Sequence, residues 1–437
     1  MKNLKYNLFL KTGIIVLIAL LLLIPAAMIQ GLIYERENTQ REAINEVSST
    51  WAYQQTLSGP ILTIPHIEYI KQASDTSKVI SIKQYLHFLP DELSVNGSVT
   101  PEKRKRGIYE VVVYNSALHF KGYFNALNLK DLNINPKNLL LDQAYISVGI
   151  SDLRGIEKQI ILNWNDASLA FEPGTGNKEV VTSGINTPVS IDTKQKNTFA
   201  FQIQLKGSEQ LFFSPLGKET DVMLNSVWNN PSFQGAFLPD SRDVSEKGFQ
   251  AHWNVLNVNR NFPQQWKGSL YSISDASFGV SLRLPVDNYQ KSMRTAKYAI
   301  LFIALTFMVF FFVEILNKQF IHPVQYILVG FALIIFFTLL LSFSEYISFN
   351  LAYILAAILT IALVTAYIKA ILKSNALTLL IFGILLLLYG FIFVIIQLQD
   401  FALLIGSIGL FVILGFVMYF SRKIDWYAIN LNEEKQS

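Results

Sequence analysis

Five apolar runs stand almost end to end in the last third of the chain, at 298–317, 324–343, 348–368, 376–396 and 401–420. Each reaches the roughly 20 apolar residues that a helix needs to cross a hydrocarbon core. Across 298–420 the only charged residues are Glu314, Lys318, Glu345, Lys369, Lys373 and Asp400, and they fall at or near the ends of runs. In hydrocarbon every backbone N–H and C=O must be satisfied within the structure, so runs of this length form helices. The connections are short, from Lys318 to Pro323, Ser344 to Ile347, Lys369 to Asn375 and Gln397 to Asp400. These observations imply a packed membrane bundle and exclude a single soluble globule.

A sixth uncharged run covers 12–33, preceded by Lys2, Lys5 and Lys11. A basic start followed by an apolar stretch also describes a cleaved secretory signal, and Ala26-Ala27 offers a loose cleavage site. The run exceeds the usual core of roughly 7–15 residues in such signals, which favours an uncleaved anchor. Six spans place both termini on one side of the membrane. With the N-terminus inside, the inner segments carry Lys2, Lys5, Lys11, Lys318, Lys369, Lys373, Arg422 and Lys423. The short outer loops carry only Glu345 and Asp400. That asymmetry follows the positive-inside rule. Lys291, Arg294 and Lys297 dissent, but long translocated segments obey the rule poorly. The residues between the first two spans are then extracytoplasmic, which in a bacterium means periplasmic.

That intervening segment, 34–297, holds 27 Lys/Arg and 26 Asp/Glu. Its near-neutral balance argues against a nucleic-acid partner. A chain without cysteine has no disulfide framework. Residues 34–56 read as a helix, with Ile44, Val47 and Trp51 on one face, ended by the Ser58-Gly59-Pro60 turn. The period then changes to two over 61–70, 79–89, 107–114, 117–124, 144–150, 198–205, 222–228, 249–256 and 278–284. Short Val-, Ile-, Tyr- and Phe-rich segments bounded by Gly, Pro, Asn and Asp are strands. With no helical pattern interleaved, the expected fold is a mostly antiparallel, sandwich-like all-β domain. The polar stretch 173–197 reads as a long loop and the best boundary, should there be two β subdomains. Arg106-Gly107-Ile108 and Arg154-Gly155-Ile156 hint only weakly at a duplication. The expected division is 1–33, cytoplasmic N-terminus and anchor helix; 34–297, β-rich periplasmic domain; 298–420, five-helix transmembrane bundle; and 421–437, cytoplasmic tail.

Signatures of chemistry are sparse. His66, His87, His119 and His252 show no ligand spacing and read as separate strand histidines. There is no Gly-x-Ser-x-Gly elbow and no cysteine nucleophile. We therefore assign no catalytic, cofactor-binding or metal-ligating residue and expect no cofactor. The run Lys103-Arg104-Lys105-Arg106 suits either an anionic envelope polymer or, as we favour, a solvated loop between strands. The aromatic and proline-rich stretch 227–263 suits a groove or, as we favour, core packing. Glu314, the deepest acid, is expected to pair with Lys318 one turn on. No acid or base lies mid-span in the third, fifth or sixth run, which argues against an ion-coupled carrier. Ala352 with Ala356, and Gly406-Ser407 with Gly409, provide small-residue contacts for helix packing.

The chain resembles the CreD inner-membrane family. The resemblance rests on Arg41-Glu42-Ala43-Ile44 with Val47, Trp51 and Gln55; Ser58-Gly59-Pro60-Ile61-Leu62; Arg106 to Val111; Asp152 to Ile156; Pro215-Leu216-Gly217; Trp228 with Pro231-Ser232-Phe233; Phe237-Leu238-Pro239; Gly248 to Ala251; His322 to Tyr326; Tyr389-Gly390; and Asp425-Trp426-Tyr427. It implies a bacterial inner (plasma) membrane protein, multi-pass, with a large periplasmic domain and a link to cell envelope integrity and envelope stress. It implies no reaction. The expected function is non-enzymatic: the β domain binds an envelope lipid, a glycan or a membrane-protein partner, and no nucleic acid. The alternative is a lipid or small-molecule transporter working through the helical bundle.

Overall fold

The structure, a computed structural model, describes residues 8–72, 75–129, 132, 134–282, 284, 288–317, 320–398 and 401–422. Lys2, Lys5, Lys318, Asp400, Lys423 and the Asp425-Trp426-Tyr427 motif lie outside them. The chain divides into two compact units, Met1–Gln40 with Val286–Ser437, and Arg41–Pro285.

The first unit holds helix α1 (Leu8–Trp51) as far as Gln40, a short helix α2 (Asn288–Lys297), and α3 (Ala299–Leu316), α4 (Pro323–Ser344), α5 (Phe349–Leu372), α6 (Asn375–Gln397) and α7 (Ala402–Ser421). Among the described residues, six of these helices are long and apolar enough to cross a membrane, α2 being the exception. The six runs are legible in sequence because an apolar stretch of that length has one way to satisfy its backbone in lipid.

The first span buries a stripe of Lys11, Ile15, Ile18, Leu22, Ala26, Ile29 and Ile33. The spacing of three and four keeps all seven on one helical face. Gly330 of α4 lies against Leu22, where a Cβ would collide with the leucine side chain. Gln30 donates from Nε2 to the carbonyl of Ala296 (3.3 Å). On α5, Ala352 and Ala356 are fully buried beside Tyr353, whose ring meets Phe336 of α4 at 5.4 Å. Gly409 of α7 abuts the ring of Phe391 on α6. Small residues at these points let neighbouring backbones approach closely.

The second unit contains two sheets. Its strands are β1 (Gln55–Gln72), β2 (Asp75–Phe88), β3 (Glu92–Arg106), β4 (Tyr109–Phe124), β5 (Tyr145–Ile150) and β6 (Ile161–Trp164). There follow β7 (Ala167–Ala170), β8 (Glu172–Pro173), β9 (Gly184–Pro188), β10 (Asn197–Ser208), β11 (Gln210–Phe213) and β12 (Glu219–Ser226). The last are β13 (Ser232–Gly235), β14 (Ser241–Ser245), β15 (Gly248–Leu256), β16 (Gln265–Lys267) and β17 (Phe278–Ser281). One sheet runs β13-β17-β11-β1-β5-β9-β8, with β2 and β16 branching from β1. The other runs β14-β15-β12-β3-β4-β10-β6-β7. Pairing is antiparallel except for β1 with β11 and β3 with β12.

Inward residues of both sheets join one hydrophobic cluster. It includes Ile61, Ile64, Ile146 and Val148 of the first sheet and Val95, Phe120, Ile203 and Leu224 of the second. The Val227–Phe262 region contributes Trp253, Phe249 and Phe262 to that core, with Phe233 edge-on to Trp253 at 5.7 Å. Segment 173–197 contains β9, hydrogen-bonded to β5 within the first sheet, so the residues read as a linking loop carry part of the sheet. Residues 109–114 and 117–124 of those two patterns belong to β4, which is one continuous strand. Arg106-Gly107 enters the β3–β4 turn with Gly107 at φ +59°, whereas Arg154-Gly155 lies in a single 3-10 turn, Leu153–Gly155. The two tripeptides are therefore not equivalent.

Two local expectations are corrected. The helix ends at Trp51, and Ser58-Gly59-Pro60 sits inside β1, where the β1–β5 register shifts between Ser58 and Ile61. A proline lacks the N–H a regular ladder uses, so a register shift accommodates it. The basic run 103–106 is strand rather than loop: it pairs with Val112, Val111, Glu110 and Tyr109. Its charge is met locally, by Glu110 for Lys103 (3.5 Å) and Lys105 (3.3 Å), by Glu102 for Arg104 (3.1 Å) and by Glu46 for Arg106.

Within this unit the last turns of α1 are tied to the sheets. Arg106 grips Glu46 with two hydrogen bonds, 2.9 and 2.5 Å. Arg154 donates to the carbonyl of Ser49 (2.6 Å) and to both oxygens of Asp152. The cations of Arg104 and Lys206 lie over the Trp51 ring at 5.0 and 4.8 Å. The Arg154 hydrogen bonds hold the Asp152 carboxyl down at about 2, helped by the N–H groups of Tyr53 and Arg154 and opposed by its burial. A carboxyl held below its unfolded value stabilises the fold above that value and loses the contribution as pH falls through the folded one. Asp152→Asn is expected to destabilise the β unit at pH 7 by about 1–2 kcal/mol, discounted because Arg154 is half exposed. Thermal unfolding of the solubilised protein followed through its β signal should show the gap between variant and parent closing from pH 4 towards pH 2.

Candidate functional site

The outer face of the eight-stranded sheet carries a groove of about 680 Å³. Its floor follows from strand alternation, since inward and outward residues exchange at every position. Val95, Phe120, Phe201 and Leu162 face the core, with the Phe120 and Phe201 rings stacked at 4.8 Å. The intervening positions line the groove in cross-strand rows. One row is Ser94, Lys121, Ala200 and Asn163, over β3, β4, β10 and β6. The next is Asn96, His119 and Gln202, and Gln204 stands one step further along β10. Lys158, Gln159 and Ile161, in and just before β6, complete the lining. The small side chains of Ser94 and Ala200 leave the depression that the longer ones border.

No carboxylate lines this groove. Among the described residues, the side chains of Asn96, His119, Lys121, Lys158, Gln159, Gln202 and Gln204 make no hydrogen bond or ion pair with the protein. Two acids nearby are already engaged, Glu157 with Lys206 (3.1 Å) and Asp221 with His252 (2.6 Å), and Glu92 stands at the groove's edge two residues before Ser94. The site therefore offers amide donors and acceptors together with two free ammonium groups.

The four histidines stay apart, and no group of three or more His, Cys, Asp or Glu is placed to hold a metal among the described residues. His119 is in the groove, and His252 meets Asp221. His66 and His87 are buried. His87 lies between Thr63 (3.1 Å, at Nδ1) and Glu179 (3.0 Å, at Nε2). This order of hydroxyl, imidazole and carboxylate resembles a hydrolytic triad, but Thr63 and His87 are 2% and 1% exposed. A hydroxyl so enclosed has no approach for a substrate carbonyl. Burial pushes the His87 pKa down, opposed by its hydrogen bond to Glu179, so the trio is a satisfied polar network that runs from the core to the half-buried Glu179.

The bundle holds a second polar cluster. Glu314 of α3 pairs with Lys11 of α1, 303 positions away; Lys318, the partner expected from the sequence, lies outside the described residues. The Lys11 ammonium also donates to the carbonyl of Ile321 (2.8 Å) and lies over the Phe320 ring at 4.2 Å. Tyr326 of α4 donates to the other Glu314 oxygen (3.2 Å). The two donors to this carboxylate thus come from different helices, α1 and α4, and the lysine donates also to the chain just before α4. Elsewhere aromatic rings pack the centre of the bundle. Tyr353 donates to the carbonyl of Tyr389 (2.8 Å), and the Tyr389 ring packs on Phe302 and Phe336 at 4.6 and 4.9 Å. A cavity lined by Phe310, Ile321, Val329 and Ile381 measures about 10 Å³, no more than marginal room for one water.

The fold and these sites define a polytopic membrane protein with a two-sheet β domain inserted between its first and second spans. The family profile "Inner membrane protein CreD" matches residues 7–427. Over 423 residues, 96% of this chain and 93% of the relative, it is 36% identical to "Inner membrane protein CreD" of Escherichia coli (strain K12). The chain belongs to the CreD family of inner-membrane proteins.

Breaking a buried ion pair strands a charge, whereas replacing both partners does not. Glu314→Gln and Lys11→Met are each expected to destabilise the bundle by roughly 3 kcal/mol, with most of the loss recovered in the double variant Lys11→Met/Glu314→Met. Thermal unfolding of the detergent-solubilised full chain would show this. Additive losses in the double variant would contradict it.

Proposed function

We propose that the chain is a non-enzymatic envelope-maintenance protein of the bacterial inner membrane, whose periplasmic β domain binds an envelope component or partner. Its N and C termini are cytoplasmic, the bundle is its anchor, and α1 is retained as a span. The groove on the eight-stranded sheet carries this reading: it is a depression of about 680 Å³ lined by polar side chains unspent on the protein. The orientation is supported by Lys11, Lys369, Lys373 and Arg422 at one set of span ends and Glu345 at the other. Retention of α1 is supported by its buried stripe and the Lys11–Glu314 pair, which cleavage would leave as an unpaired buried acid. The family relationship supports an envelope role and names no reaction.

A chain without cysteine suits single-cysteine mapping. In intact spheroplasts, Asn96→Cys should react with a membrane-impermeant maleimide and Lys373→Cys should react only after the membrane is opened; the reverse pattern would invert the topology. For binding, the full-length protein in nanodiscs would be titrated with separated lipid, glycan and protein fractions of the envelope. We expect saturable binding to one fraction that falls about tenfold or more in Ala200→Trp, which fills the groove floor. Binding indifferent to Ala200→Trp, or no binding to any fraction, would remove the support for this function.

A further inference from the structure

We infer that the groove of the eight-stranded sheet takes an acidic oligosaccharide, seated across β3, β4, β10 and β6; this rests on the reading of the β unit as a binding module. Three features of the lining select the chemistry. First, Asn96, Gln159, Gln202 and Gln204 each present a carbonyl oxygen and an amide NH₂, and Asn163, whose carbonyl accepts from Ser168, presents its NH₂. A sugar hydroxyl both donates and accepts, so an amide-lined surface matches it at either role. Neighbouring groups within a row lie roughly 4.8 Å apart and successive rows roughly 6.8 Å apart, spacings close to the length of one sugar ring.

Second, the charge is one-signed. Lys121 on β4 and Lys158 before β6 bring two ammonium groups to the lining with no carboxylate between them, while Glu157 and Asp221 nearby are held by Lys206 and His252. An anionic group on the ligand meets these lysines through charge-assisted hydrogen bonds. Third, the apolar part of the lining is a shallow floor without an exposed ring. Phe120 and Phe201 border the groove but are almost wholly buried in the core, and Ile161 is the one exposed large aliphatic side chain of the lining. An acyl chain has no slot there. The Trp, Tyr and Arg anchors that dominate protein–protein contacts are absent from the lining as well. Without an exposed ring to stack a sugar face, affinity comes from hydrogen bonds and charge and therefore falls with added salt.

The test uses the full-length protein in nanodiscs of zwitterionic lipid, which removes anionic headgroups from the sample. The probes are labelled tetragalacturonate and a phosphorylated dextran oligomer, which separate carboxylate from phosphate as the acidic group, with cellotetraose and poly-glutamate as controls. We expect saturable binding of at least one acidic sugar, with neutral cellotetraose and sugar-free poly-glutamate each about tenfold weaker or worse. Lys121→Gln/Lys158→Gln should weaken acidic-sugar binding about tenfold, and Lys121→Arg/Lys158→Arg should restore it. These side chains are exposed, so loss of folding does not confound the variants. Equal binding of cellotetraose or poly-glutamate, indifference to the lysines, or binding of neither acidic sugar would overturn the inference. Should an envelope fraction still bind in a manner sensitive to Ala200→Trp, the binding function would stand and only the ligand class would fall. No binding of any fraction would remove both.

Discussion

The buried pair of Lys11 and Glu314 closes the membrane unit. Helix α1 is separated from the other spans by the whole β unit, so nothing in the local chain brings it back to the bundle. An ammonium and a carboxylate that reach, among the described residues, each other, one backbone carbonyl, one tyrosine hydroxyl and one ring make its register specific. Sliding α1 by a turn would leave two buried charges without partners, a cost far above that of misplacing a leucine. The apolar stripe from Ile15 to Ile33 then supplies contact area, and Gly330 lets that stripe approach α4. Charge decides the position and packing strengthens it.

The β unit solves a different problem. Its two sheets share a single core, so each strand spends alternate residues inward and is free to vary the others. On the first sheet many outward positions are covered or paired. Across β3, β4, β10 and β6 of the second sheet they remain open and polar. A surface of unpaired amides and lysines brings no stability to the fold, since water satisfies those groups equally well. Its composition is therefore free to answer to a ligand. The Thr63–His87–Glu179 trio makes the contrast: Thr63 and His87 are buried, and the three groups satisfy one another.

Much of the architecture was readable from the chain. The six spans followed from run length, and most strands from period-two patterns. The stretch Leu93, Val95, Gly97 and Val99 alternates inward with the same clarity, yet the charged run that ends β3 drew attention to a loop. Charge at a strand end is no obstacle to pairing when acids stand opposite, as Glu110 stands opposite Lys105. The 173–197 stretch misled for the opposite reason: polar composition hid β9, a five-residue strand held by β5 rather than by its own propensity. Of the groove residues only His119 had been singled out, because Asn, Gln and Lys at outward positions are ordinary until register places them in one row.

What the sequence determined by itself is whatever depends on local composition and short periods. That covers the membrane class, the number and place of the spans, the all-β character of the insert and, through a long series of short motifs, the CreD family. Only the tertiary structure decided which distant residues meet: Lys11 with Glu314, four strands from across the chain into one groove, and His87 with Thr63 and Glu179. The reason is physical. Helix and strand patterns are written within a few residues of each other, whereas a pairing across hundreds of positions is set by the packing of the whole core and leaves no mark in the local sequence.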